Sequence, residues 1–242
     1  MTDDPAIPPP PWQRLPPDRG QRRRRDPITR EAIVRTAIEL LDRDGLDALS
    51  MRRLADELGT GAASLYWHVG SKDALLDLVF DEVIGELRVP DPEPERWADQ
   101  LKEIAHDMRA TILRHRDIVR ISIGRIPMGP NALRYSERIL AVLRAGGVPD
   151  DLAVLGHHLL FSVVNGFTID ESGELATTDS HPRGEEAGTM VQGYITALPA
   201  DRFPNMVAVA DHYAITDNDR RFTLLIDLYV DGLAARVRAA NG

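Results

Sequence analysis

Apolar residues in this chain recur three and four positions apart along nearly its whole length and almost nowhere alternate. That period belongs to helices packed by one face, whereas a sheet needs a period of two. An all-α fold is therefore expected. The helix boundaries are legible as well. "ITREAIVRTAIELLDRDG" opens at a capping threonine, Thr29, and closes at Gly45, a residue free to leave the helical conformation. Ile33, Ala37, Leu40 and Leu41 form its apolar face. "SMRRLADELG" repeats the plan with Ser50 as cap, Leu54, Ala55 and Leu58 inward, and Gly59 as stop. A short helix is expected over 62–68. A longer one runs from a Ser71 cap to about Leu87, with Asp73 against the positive end of its dipole.

"RVPDPEPER" places Pro90, Pro92 and Pro94 within five residues and reads as a linker. Beyond it the spacing predicts helices over 97–114, 117–124, 131–145, 150–170, 184–197 and 219–239. "ESGELATTDSHPRGEEAG" is expected to be a polar loop. The resulting plan has a disordered Pro/Arg-rich arm over 1–26, a three-helix N-terminal domain over 27–87 and a larger helical domain over 95–240.

Charge divides along the same lines. The whole chain carries a net −9, but residues 19–72 hold 11 Lys+Arg against 8 Asp+Glu, and residues 73–242 hold 17 against 27. A weakly basic module joined to an acidic body implies that one part meets a polyanion. No cysteine is present, which excludes a disulfide framework, a thiolate zinc site and a cysteine nucleophile. The start of the chain has acidic residues and prolines where a secretory leader has an apolar run. The most apolar window, "LAVLGHHLLFSVVNGFTI", contains two histidines and an asparagine. It reads as a buried helix rather than a membrane span, and a cytoplasmic, nucleoid-associated location is expected.

"SLYWHVGSKDALL" sets three rings side by side at Tyr66, Trp67 and His68. Neither a core helix nor a strand spaces rings that way. A helix, a glycine, a turn of about three residues and a short helix make a helix-turn-helix spacing, whose second helix enters the major groove. Thr60, Ala62, Ala63 and Ser64 are small enough for close backbone approach, and Leu65 and Val69 form the inward pair. Tyr66 and His68 can donate to phosphates, and Trp67 can pack on sugar or a thymine methyl. Lys72 stands at a helix start, where charge and free N–H groups attract phosphate. The plainer readings are that Trp67 and His68 cover a small core and that Lys72 is a solvated surface charge. Arg22–Arg25 are either a solvated run or an arm along the duplex.

The stretch from Pro27 to Leu87 resembles the DNA-binding domain of TetR-type transcriptional regulators, most specifically at "LYWHV" and "K.ALLD". The likeness continues through Trp97–Pro127, where His115, Arg116 and Asp117 also match. It implies a helix-turn-helix domain followed by a ligand-binding and dimerisation domain resembling that of the tetracycline repressors. It further implies a homodimer on a palindromic double-stranded operator and a small-molecule inducer; no cofactor, bound metal or membrane is expected. By position, Ser50, Arg52, Thr60, Ala62, Ala63, Ser64, Tyr66, Trp67, His68 and Lys72 fall where the family contacts DNA. Ala62 and Ala63 stand where tetracycline-binding members have glutamine and proline, which implies a different operator. Leu152, Leu155, Leu159, Phe222, Leu225, Ile226, Tyr229 and Leu233 are the expected dimer interface.

Ile104, Met108, Ser122, Arg125, Met128, Tyr135, Phe161, Asn165 and Asp170 are the candidate ligand residues. The tetracycline-binding members' metal-binding histidine aligns with Ser122, a threonine with Arg125, and an asparagine and a phenylalanine with Ile104 and Met108. Only an acidic position persists, as Asp170 or Glu171. The expected ligand is therefore flat and largely apolar, not a magnesium–tetracycline chelate. Arg125 points to an acidic or phenolic ligand, or else pairs with Asp117 or Asp170. His157 and His158 are neighbours that point about 100° apart, so packing is expected of them rather than metal binding. An activator of the same fold, a helical scaffold protein and an enzyme are the other readings. Against the last, the chain has no phosphate-binding loop, no HExxH and no nucleophile motif in context.

Overall fold

A computed structural model describes residues 28–173, 184–213 and 217–241, and every regular element among them is helical. The arm with Arg22–Arg25 lies outside the described residues, as do residues 174–183 of the polar loop. The first helices are α1 (Arg30–Asp44), α2 (Met51–Glu57), α3 (Ala62–Val69) and α4 (Lys72–Ile84). Then come α5 (Trp97–Arg114), α6 (Ile118–Ser122), α7 (Pro130–Ala145) and α8 (Asp150–Ser172), followed by α9 (Gly184–Thr196), α10 (Pro204–Ala208) and α11 (Asn218–Asn241).

Local chemistry explains the helix starts. The hydroxyls of Thr29, Ser50 and Ser71 accept from the backbone N–H of Ala32, Arg53 and Ala74 at 3.2, 3.2 and 3.0 Å. Each satisfies a first-turn donor that the helix itself leaves free. Several ends differ from the sequence reading, α4 among them, which stops at Ile84 rather than about Leu87. α2 stops at Glu57 because Gly59 takes φ 62° and the Thr60 N–H turns back to the Ala55 carbonyl at 2.9 Å. α6 is shorter than 117–124, and Asp117 stands before it in the left-handed region at φ 59°. α10 was not anticipated; its five residues start at Pro204, a residue suited to a first turn.

The described residues fall into two compact units. One comprises 28–173 with 229–241, and the other 184–213 with 217–228. In the first, Ile33, Ala37 and Leu41 of α1, Leu54 of α2, Leu65 and Val69 of α3, and Leu75 and Val79 of α4 share a core. Ile118 and Ile121 of α6 are buried in that same core. Each buried Leu, Ile or Val among them contributes about 1.5–3 kcal/mol by removal from water. The N-terminal helices are thus anchored by a helix from the far side of the proline-rich segment. That segment is itself held: the Gln100 side chain accepts from Glu93 N–H at 3.0 Å and donates to the Asp91 carbonyl at 2.7 Å. α5, α7 and α8 pack on one another, and α4 packs on both α1 and α7. In the second unit α9 packs on α10 and on the turn at 210–212.

Candidate nucleic-acid interface and ligand site

Leu65 and Val69 are fully buried, as their spacing requires, and they fix α3 against the core. The rings between them are left outside: Tyr66 is 47% and Trp67 52% exposed. His68 is half-buried, its ring edge-on to Trp67 with centroids 4.7 Å apart. Its carbonyl accepts from Arg30 Nε at 3.3 Å, which ties the end of α3 to the start of α1. Arg52, Ala63 and Lys72 are exposed, as is the Ser50 cap; Thr60, Ala62 and Ser64 are half-buried along the turn and first residues of α3. Large exposed rings on one helix, with small side chains before them, are thus presented outward together.

Behind this surface lies a layer of charged contacts to the rest of the unit. Arg125 is mostly buried and pairs with Asp73 and with Asp77, the latter at 2.9 Å. These two carboxylates of α4 take the place of the expected partners, Asp117 and Asp170. Its charge is therefore neutralised on α4, one residue beyond Lys72, and it is not held out for an acidic ligand. Burial pushes the Asp77 carboxyl up and Arg125 opposes this. Asp117 Oδ2 accepts from Leu46 N–H at 2.7 Å, and Arg120 bridges Asp117 and Asp47. His115 lies between Asp42 of α1 and Glu86 just after α4, at 3.0 and 3.2 Å.

Sequence reasoning missed Asp81. It sits in α4 within "LLDLVFDEVI", is only 5% exposed, and accepts from the backbone N–H of Ala132 at 3.0 Å and Asn131 at 3.2 Å. One helix thus caps the N-terminus of another. Gly129 is required beside it, because a Cβ there would overlap the Asp81 carboxylate. Burial raises the Asp81 pKa, and the two amides work against that rise. The only signal was an acidic residue at an inward helical position.

The ligand candidates separate into two groups. Ile104 and Met108 of α5 and Tyr135 of α7 are buried, and the Phe161 ring of α8 meets the Tyr135 ring edge-on at 5.9 Å. His157 joins them, its ring 5.1 Å from Phe161. Asn165 is half-buried on the same helix. The remaining candidates have other roles or lie at the surface. Ser122 donates to the Val119 carbonyl at 2.8 Å, Met128 is exposed, and Asp170 is exposed. The acidic position is instead occupied structurally by Glu171, which makes a two-pronged pair with Arg109 at 2.6 and 2.8 Å. That guanidinium also lies 5.6 Å over the Phe167 ring.

Of the expected interface residues, Leu155 and Leu159 are exposed, together with Val154. Leu152 and Leu225 are half-buried. Phe222, Ile226 and Leu233 are buried within the chain itself, and Tyr229 donates to the Gly156 carbonyl at 2.6 Å. On α11 it is Leu224 and Leu228 that are exposed. α8 is long and apolar enough to cross a membrane by length and composition. Among the described residues, no group of three or more His, Asp or Glu side chains is arranged to hold a metal ion.

Residues 89–237 match the family model described as tetracyclin repressor-like, C-terminal domain, and residues 33–79 match that of bacterial regulatory proteins, tetR family. The HTH-type transcriptional repressor DrrR1 of Streptomyces coeruleorubidus is 36% identical over 235 residues, covering 93% of this chain and 85% of the relative. Among solved structures, apo ActR from Streptomyces coelicolor superposes with a TM-score of 0.82 and 46% identity, over 90% of this chain and all of ActR. The complex of ActR with actinorhodin gives a TM-score of 0.79 and 47% identity, over 87% and 97% of the two chains.

Proposed function

Since the chain belongs to the tetR family of bacterial regulatory proteins, we propose that it is a homodimeric repressor, freed from a palindromic operator by a small-molecule inducer. The observation that carries this reading is the pair of exposed rings, Tyr66 and Trp67, held outward by the buried Leu65 and Val69. Two such helices, about 34 Å apart in a dimer, meet successive major grooves on one side of the duplex. Arg52, Lys72 and the Arg22–Arg25 arm add phosphate contacts and salt dependence. The exposed apolar face at Val154, Leu155 and Leu159 of α8 belongs to the dimer contact, since apolar residues grouped on a helix face seek a partner surface. That use of α8 suits a cytoplasmic protein.

Repression is relieved by a shift in population. ActR, to which the chain is similar, is known in complex with a small molecule; here the inducer binds among α5, α7 and α8, whose facing side chains are apolar and aromatic, and prefers the protomer arrangement that does not fit DNA. The loss of operator affinity equals its differential affinity for the two arrangements. α4 transmits the change, because it is joined to α7 by Asp81, to Arg125 by Asp73 and Asp77, and to the recognition helix through the shared core. The test is a gel shift of DNA from upstream of the protein's own coding region, with and without candidate ligands. A specific shift that a ligand reverses is expected; absence of specific retardation would overturn the reading.

A further inference from the structure

We propose that Tyr135 and His157 are the polar recognition pair of the inducer site, and that they select a flat aromatic ligand bearing phenol hydroxyls or quinone carbonyls. This rests on the reading above that the inducer binds among α5, α7 and α8. Two buried side-chain polar atoms in the described structure have no hydrogen-bond partner: the Tyr135 hydroxyl and His157 Nε2. They belong to different helices, α7 and α8, yet both rings contact one residue, Phe161, edge-on at 5.9 and 5.1 Å with interplanar angles of 86° and 69°. Buried polar groups in native proteins are nearly always satisfied. Two orphans converging on one aromatic ring therefore mark a place where a bound molecule completes the hydrogen bonding.

The chemistry of the pair defines the ligand. Tyr135 is only 4% exposed, and burial raises its pKa, so it stays a phenol. Burial, with a smaller effect of His158, pushes the His157 imidazole down to about 4, so it is neutral at pH 7. A neutral imidazole offers one donor and one acceptor, and a phenol offers either. Such a pair matches hydroxyl and carbonyl groups and provides no counter-charge for a carboxylate or phosphate. The mostly buried guanidiniums of Arg109 and Arg125 are already paired, with Glu171 and with Asp73 and Asp77. Three rings presenting edges and faces, with the buried Ile104 and Met108 of α5 in the same helical layer, suit a planar ring system.

The test titrates the full-length protein with 1,8-dihydroxyanthraquinone and with anthracene, following binding by tryptophan fluorescence. Tyr135→Phe removes one oxygen, and His157→Leu removes both ring nitrogens at similar volume. Each hydrogen bond lost from the hydroxyquinone should weaken its binding about tenfold, with anthracene affinity within about twofold of wild type. Tyr135→Phe should melt no lower than wild type, because an unpartnered buried hydroxyl is removed; a merely structural role for Tyr135 predicts a lower melting temperature instead. Hydroxyquinone affinity unchanged in both variants, or wild-type protein that binds neither probe, would overturn the proposal. Operator binding of the ligand-free proteins is measured in parallel. Its absence in wild type would overturn the regulator reading, whereas its retention with unchanged hydroxyquinone affinity overturns the recognition pair alone.

Discussion

Replacing Asp81 by alanine should separate α4 from α7, the two helices that link the proposed recognition surface to the proposed ligand layer. The Asp81 carboxylate accepts the first-turn amides of α7 from Ala132 and Asn131 in a nearly water-free setting. Loss of a side-chain cap costs about 0.5–2 kcal/mol, and leaving a second buried donor without an acceptor adds about 1 kcal/mol or more. Relief of the buried charge offsets part of this, since burial raises the Asp81 pKa. A net loss of about 2–3 kcal/mol remains. For a chain of this size about 1 kcal/mol shifts the melting temperature by roughly 2–4 °C, so Asp81→Ala should melt roughly 4–12 °C lower by calorimetry at pH 7. Asp81→Asn separates acceptor geometry from charge. It keeps one acceptor oxygen and the same shape, and the raised pKa says that the charge itself adds little. It should cost under half as much. An alanine variant melting within about 1 °C of wild type would refute the inter-helix cap, and an asparagine variant as unstable as alanine would refute the assignment to acceptor geometry.

Trp67→Ala should change stability by no more than about 0.5 kcal/mol, because the ring is half exposed and is not one of the core residues, while operator affinity measured by fluorescence anisotropy falls tenfold or more. Arg125→Met should destabilise on the order of 1 kcal/mol at neutral pH. Since Asp77 is already pushed up by burial, the deficit should grow as pH rises through its titration and shrink toward acid, as thermal melts across pH will report. His157 resists protonation in the fold, at about 4 against 6.5 when unperturbed. Its contribution is therefore intact above 6.5 and is lost as pH falls toward about 4; His157→Leu should flatten the stability profile in that window.

Helix starts were legible because their chemistry is local: Thr29, Ser50 and Ser71 each cap a donor three residues away. The outward rings of α3 were legible for the same reason, as Leu65 and Val69 are one turn apart and buried while Tyr66 and Trp67 between them are exposed. What sequence spacing did not carry was partnership at a distance. Arg125 meets Asp73 and Asp77, 52 and 48 residues away, and nothing local distinguishes them from Asp117 or Asp170. Asp81 takes its role from the first-turn amides of α7, Asn131 and Ala132, and nothing in its own helix names that partner. α11 is apolar on more than one face, so the period identified a helix without saying which face turns inward. Phe222 and Ile226 are buried, and Leu224 and Leu228 are exposed. The proline-rich segment read as a linker from composition alone, yet Gln100 binds both its Asp91 and Glu93 ends, and α6 reaches past it into the N-terminal core.

The central claim is that two copies of α3 read one symmetric DNA site. Sedimentation of the full-length protein with a palindromic fragment from its own upstream region, combined with footprinting, tests it directly. The account predicts two protomers per site, with protection in two half-sites about one helical turn apart that vanishes with Trp67→Ala. A single protomer per site, or protection unaffected by the loss of Trp67, would contradict it.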